Sequence, residues 1–263
     1  MKIKLYWWRG DSGKENFGDY LSPLIVEMVS GKEVVYAKPE KADMIAIGSI
    51  LHRERKAKRF FIPRKLHIWG AGTDSPDRRF SSRHYYHAVR GLETSSRILD
   101  KKSKPAHGDP GLLADLWWDG RPKPEKTYRF GIIPHFVDAA DQRVKVLANE
   151  LPKSHIINVF DPVEEVIKQI QKCDYILSSS MHGLIVADSF LIPNSRLLLS
   201  KGIISDFKFD DYYSAFGIKQ PDPLTPENII DKKVLIKIDE GDYQRKKINQ
   251  IKESILKSFP LNI

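Results

Sequence analysis

At 263 residues and 41% hydrophobic content, the chain is long enough for two domains of roughly 100–150 residues each. It carries no run near the ~18–20 consecutive apolar residues of a membrane span, and Met1-Lys-Ile-Lys-Leu-Tyr6 lacks the apolar core and cleavage site of a signal peptide. The single Cys173 excludes an intrachain disulfide and a cysteine-built zinc site, so a cytoplasmic location is expected, with Cys173 in the core. A net charge of +9 at pH 7 favours anionic partners, but no nucleic-acid motif accompanies it, which sets nucleic acid aside.

Ile3-Lys-Leu-Tyr-Trp-Trp8 is rich in branched and aromatic residues and reads as a first strand. A polar loop, Arg9 to Asn16, leads into a helical stripe of Phe17, Leu21, Leu24, Ile25 and Met28 that stops at Gly31, with Asn16 or Asp19 placed to cap it. Strand signals recur at Val34–Ala37, Met44–Gly48, Leu66–Gly70 and His87–Arg90, the alternation of a parallel α/β sheet. Two of them end in glycine turns, Ile47-Gly-Ser-Ile50 and Trp69-Gly70-Ala-Gly72-Thr73, which are expected to present backbone N–H groups at the ligand edge of the sheet. Arg90 stands where a strand meets a helix predicted to run through Ile98-Leu99; its planar fork suits a phosphate, a carboxylate or a structural acid. Asp109, in His107-Gly-Asp-Pro-Gly, reads as a turn and cap residue, and the basic run His52–Arg59 as a solvated face. Arg121-Pro-Lys-Pro-Glu-Lys126 is the linker, giving an N-terminal domain over 1–122, a second over 127–240 and a tail over 241–263.

The second half repeats the pattern: a strand at Tyr128–Ile133, a loop with Pro134-His135, a helix over Gln142–Glu150, a strand at His155–Phe160 and a helix over Pro162–Lys172. Tyr175-Ile-Leu-Ser178-Ser179-Ser180-Met181-His182-Gly183 then begins as an apolar strand, turns through three serines and enters a helix that runs to about Phe190. Loops at the carboxyl ends of parallel strands line the ligand crevice, and the next helix offers unpaired N–H groups and a partial positive charge. His182 is therefore expected beside an anion site, with Ser179, Ser180, Met181 and Gly183 around it. After a strand at Arg196–Leu199, Lys208 reads by itself as a solvated surface lysine neighbouring Asp206 and Asp210. In the basic tail, Ile248, Ile251, Ile255 and Phe259 share one helix face, which either docks on the body or rests on an anionic membrane; docking is the expected outcome. The class is α/β, two Rossmann-like halves facing a cleft.

The run Ser-x-Ser-Met-His-Gly-x-Ile-x-Ala-Asp at 178–188 resembles the polysaccharide pyruvyl transferase family, closest to its exopolysaccharide and capsule branch. Asn16-Phe-Gly-Asp19-x-Leu, the two glycine turns, Arg90-Gly-x-x-Thr94, Gly108-Asp-Pro-x-x-Leu113 and Lys208-Phe-x-Asp-Tyr212 are similar to further family segments, over roughly residues 1–217. The resemblance implies a GT-B-like arrangement with the acceptor on the N-terminal side and the donor on the C-terminal side. It also implies transfer of pyruvate from phosphoenolpyruvate to two hydroxyls of one sugar, free or lipid-linked, with release of phosphate and no metal or other cofactor. His182 would be the acid/base group, and Arg90 and Lys208 would hold the anion. Asn16, Asp19, Gly70, Gly72, His135, Ser179, Ser180, Met181 and Gly183 would bind substrate. Where many relatives carry arginine two places before the histidine, this chain has Ser180, and the exopolysaccharide branch also has a small residue there. Two rival readings are a glycosyltransferase using a nucleotide sugar and a non-catalytic scaffold of polysaccharide assembly.

Overall fold

The computed structural model describes residues 2–10, 15–59, 61–100, 102–230 and 245–263, and the expected boundary at 240 lies outside them. The first half runs β1 (Ile3–Tyr6), α1 (Phe17–Ser30), β2 (Val34–Tyr36), β3 (Met44–Ile45), a hairpin of β4 (Lys58–Arg59) and β5 (Ile62–Pro63), β6 (His67–Trp69), β7 (Tyr85–Val89), α2 (Leu92–Ser96), β8 (Ala106–His107) and α3 (Ala114–Trp118). The second runs β9 (Tyr128–Ile133), α4 (Gln142–Glu150), β10 (Ser154–Ile156), α5 (Val163–Gln171), β11 (Cys173–Ser178), α6 (Met181–Ser189), β12 (Asn194–Arg196), α7 (Phe207–Ser214), α8 (Pro226–Ile230) and α9 (Ile248–Lys257).

Two all-parallel sheets result, ordered β2-β1-β3-β6-β7-β8 and β10-β9-β11-β12. In each, the chain winds first to one side and then to the other, so the order reverses between β1 and β3 and again between β9 and β11. Such reversals open a crevice at the carboxyl ends of the strands, because the loops on either side of it lead away to opposite faces.

Local chemistry sets the helix ends. The Asn16 side chain accepts from the Gly18 N–H at 2.9 Å, and α1 stops at Gly31, whose φ of 64° sends the N–H back to Glu27. Asp109 accepts from the Gly111 N–H at 2.9 Å, the capping role its sequence position indicated. Buried Leu21 and Ile25 of α1, Leu112, Ile167 and Ile170 of α5 and Ile185 of α6 belong to one hydrophobic core that joins the two halves, while Ile45, Ile68 and Val89 and, separately, Phe130, Ile132 and Leu177 form smaller cores on the two sheets. Cys173 is buried within the shared core, and burial pushes its thiol up to about 12.

Several elements differ from the sequence expectation. The strand at Met44 stops after Ile45, because the backbone turns toward the crevice through Gly48 at φ 110°. The helix after Arg90 ends at Ser96, and buried Ile98 instead bridges to Phe80. The strand expected at Arg196–Leu199 forms earlier, over Asn194–Arg196, with Leu197 bridged to Leu224. Helix α9 lays Ile248, Ile251 and Ile255 on the body: the Trp69 indole donates to the Ile255 carbonyl at 3.1 Å, and Phe259 meets the Trp69 ring edge-on at 4.8 Å. Among the described residues no helix is long and apolar enough to cross a membrane.

Candidate functional site

The loops that follow β1, β3, β9 and β11 meet at one cavity of about 240 Å³. The first half lines it with Trp8, Asn16, Asp19, Ser49, Ile50 and Asp74, and the second with His135, Phe136, Ser180, Met181, His182 and Lys208. Seven of the twelve residues expected from sequence are therefore brought together: Asn16, Asp19, His135, Ser180, Met181, His182 and Lys208.

His182 sits in the first turn of α6, where the amide N–H groups have no intrahelical partner. Its Nε2 is shut off from solvent and has no hydrogen-bond partner among the described residues. Burial, with the positive charges of Lys208 and Arg90 nearby, pushes its pKa down to about 3, so the ring is neutral at physiological pH. The ring packs directly against Gly18 of α1, leaving no room for a Cβ there. Thus the Asn16-Phe-Gly-Asp19 segment and the Ser-Met-His-Gly segment meet at van der Waals distance. Gly18→Ala is expected to overpack this contact at a cost of ~1–3 kcal/mol, read as a lower denaturant midpoint; an unchanged midpoint would contradict the contact.

Lys208 enters from the first turn of α7. Among the described residues its ammonium makes no hydrogen bond or ion pair, although it lies over the Phe209 ring at 5.3 Å. Burial and the neighbouring Arg90 and Arg196 push its pKa down to about 8. Burial raises the Asp19 carboxyl to about 7, with Lys208 opposing the rise, and burial lowers His135 to about 3. The cavity thus holds one ammonium, a carboxyl near its midpoint and two neutral imidazoles at neutral pH, together with the Asp74 carboxylate, which is paired with Arg78 at 2.8 Å.

The other expected residues stand behind this wall. Arg90 is fully buried, with Nε donating to Asp211 at 2.9 Å, Nη1 to Ser49 at 2.7 Å and Nη2 to the Thr73 carbonyl at 2.5 Å. It reaches the cavity only through Ser49. Asp211 also accepts from the Thr94 N–H and hydroxyl, both at 2.7 Å, and its backbone carbonyl lies against Gly91 where a Cβ would stand. Arg90-Gly91-x-x-Thr94 therefore grips α7, the helix that carries Lys208.

Gly70 and Gly72 do not line the cavity either. Their N–H groups are taken by the Ala88 and Gly48 carbonyls, at 2.7 and 3.0 Å, so the expected free donors are absent there. Gly70 makes room for Pro110, and Gly72 for the Arg90 guanidinium. The Ser179 hydroxyl donates to Asp138 at 2.6 Å and accepts from the His135 N–H at 2.8 Å, which anchors the His135 loop from behind. Gly183 makes room for the Ser178 side chain and Ile133.

Sequence reading missed Trp8, Ser49, Ile50, Asp74 and Phe136 as lining residues. The available signal for Trp8, Ser49 and Phe136 was position, since each closely follows a strand that flanks a reversal of strand order. Asp211 carried only the family signal of Lys208-Phe-x-Asp-Tyr212, which does not name its partner, because Arg90 is 121 positions away. Among the described residues no three His, Cys, Asp or Glu side chains converge as a metal site.

The sequence model of the family described as polysaccharide pyruvyl transferase matches residues 3–194. The uncharacterized protein L143 of Acanthamoeba polyphaga mimivirus is 34% identical over 159 residues, covering 58% of this chain and 55% of that protein. The succinoglycan biosynthesis protein ExoV of Rhizobium meliloti (strain 1021) is 29% identical over 231 residues, covering 82% of this chain and 66% of that protein. The chain thus spans between about half and two thirds of the length of these curated relatives.

Proposed function

The chain belongs to the polysaccharide pyruvyl transferase family, and on that premise we propose that it moves a pyruvyl group from phosphoenolpyruvate to two hydroxyls of one sugar of a surface polysaccharide or its lipid-linked precursor. The products are a cyclic pyruvate ketal and free phosphate. The observation that carries this reading is the single cavity where Lys208, the first turn of α6, Asp19 and His182 come together. We read the two parallel sheets as Rossmann-like halves of a GT-B-like arrangement, with this cavity between them.

Phosphoenolpyruvate carries a phosphate and a carboxylate. The Lys208 ammonium and the unpaired N–H groups at the start of α6 are suited to receive them, and Arg90 and Arg196 add positive potential from behind. The reaction adds a proton to the methylene carbon, and a sugar hydroxyl then attacks the cationic centre as its proton leaves. Phosphate departs, and the second hydroxyl closes the ring with loss of its own proton. Asp19, near pKa 7, is matched to give a proton, and His182, neutral in the free protein, is placed to take one once a bound anion beside it raises its basicity. His135 and Ser49 line the remaining wall and would contact the donor or the acceptor.

Calorimetric titration of phosphoenolpyruvate into wild type and Lys208→Gln, with a nucleotide sugar as control, tests the reading. Saturable binding that falls at least about tenfold in Lys208→Gln is expected. Binding of the nucleotide sugar instead would favour a glycosyltransferase. The affinity should also depend on pH with a definite sign. Below about 8 Lys208 is charged in the free protein, and a bound anion raises its pKa further. Affinity is therefore highest on the acid side and falls as pH rises through 8, and ionisation of Asp19 through about 7 adds a decline of the same sign. Lys208→Gln should keep only the lower step.

A further inference from the structure

We propose that the β4–β5 hairpin is a membrane-docking loop that inserts its tip into an anionic bilayer. Phe61 and Ile62 stand 97% and 71% exposed at that tip, and Phe61 is the most exposed large hydrophobic side chain among the described residues. The hairpin is a separate two-stranded sheet, paired Lys58 to Pro63 and Arg59 to Ile62. An isolated ribbon of this kind is marginal in water, so a surface that covers its tip stabilises it.

Charge names the surface. From Arg53 to Lys65 the sequence carries seven Lys and Arg residues and one carboxylate, Glu54. Glu54 is 2% exposed and turned inward onto His84 at 2.5 Å and Arg83 at 3.3 Å, so outward the segment is cationic. At the hairpin's base a groove of about 1190 Å³ is lined by Lys38, Lys41, Lys58 and Arg64, with Glu40 as its acid, and can receive phosphate headgroups. Apolar residues ringed by Lys and Arg are the pattern of interfacial insertion into anionic lipid, whereas the core of a protein–protein patch is depleted of charge. The tail offers no such apolar face, because Ile248, Ile251 and Ile255 are buried on the body.

The hairpin is also joined to the candidate site. Ser49 and Ile50 line the cavity and lead straight into a 3₁₀ helix over Leu51–Lys56, which at ~2 Å per residue spans about 12 Å before β4 begins. A docked hairpin would hold the cavity close to the lipid surface, where an acceptor sugar on a lipid carrier can reach it. That consequence rests on the pyruvyl-transfer reading; the docking itself does not.

Co-sedimentation of the full chain with vesicles of phosphatidylcholine, with and without equimolar phosphatidylglycerol, tests the proposal without any substrate. Wild type is expected to bind the anionic vesicles only, less so as salt rises. Phe61→Ser/Ile62→Ser should weaken that binding by more than about tenfold with an unchanged thermal melt, and Lys56→Glu/Lys58→Glu should weaken it and flatten the salt dependence. No preference of wild type for anionic vesicles would overturn the proposal, as would wild-type binding by Phe61→Ser/Ile62→Ser. Since phosphoenolpyruvate is absent, either failure leaves the pyruvyl-transfer reading standing, and loss of phosphoenolpyruvate binding leaves the docking loop standing.

Discussion

Arg90→Ala is expected to destabilise the fold by about 3–5 kcal/mol, because it strands the fully buried Asp211 carboxylate, whose one ion-pair partner among the described residues is Arg90. At the usual ~2–4 °C per kcal/mol for chains near this size, the melting temperature should fall by roughly 10 °C or more. The variant also frees α7 from its grip on α2, so Lys208 loses its fixed approach to the cavity. Phosphoenolpyruvate affinity should therefore fall in Arg90→Ala as well, but together with stability, whereas Lys208→Gln should lose affinity with its melt intact. Differential scanning calorimetry alongside the titration separates the two. An Arg90→Ala protein that melts like wild type and merely binds phosphoenolpyruvate less tightly would show that Arg90 meets the ligand directly.

His182→Ala should give the opposite pattern. If the neutral imidazole moves protons, turnover should drop ~10²–10⁴-fold, measured as phosphate released from phosphoenolpyruvate with saccharide acceptors. Binding of phosphoenolpyruvate should change little, since an uncharged ring contributes no ion pair. Stability should hold, because the substitution removes a buried Nε2 that has no hydrogen-bond partner among the described residues. It should also partly relieve Gly18→Ala, whose added methyl then escapes the ring atoms and meets only the remaining Cβ of residue 182. The double variant is expected to be more stable than Gly18→Ala alone, a coupling that a double-mutant cycle reads directly. Unaltered phosphate release in His182→Ala would assign the proton transfers to other groups.

Much of the frame is visible in the chain as written. Parallel strands follow from short branched runs separated by helical stripes, and β9, α4 and α5 lie within a residue of the expected bounds because their apolar periodicity and caps agree. The Ser-Met-His-Gly turn stands out for the same reason: an apolar strand, a turn and a helix start are all local. The grouping of Asn16, Asp19, His182 and Lys208 was reached only through resemblance, as no local rule brings together positions that far apart.

What remained hidden is which polar groups are already in use. Arg90 and Lys208 are both cations near a strand end or helix start, and sequence treats them alike. Tertiary structure separates them: Arg90 is surrounded by Asp211, Ser49 and Thr73, and the Lys208 ammonium is left without an ion pair among the described residues. Gly70 and Gly72 likewise look like donors for a ligand, yet their N–H groups are bound to neighbouring strand ends. The sequence by itself determined the α/β alternation, the helix caps and the histidine turn, all consequences of side-chain periodicity and backbone preference within a few residues. Packing decided that two points of strand reversal share one cavity, that Gly18 touches His182 and that the tail lies on the body, because each depends on contacts between segments that only the folded chain brings together.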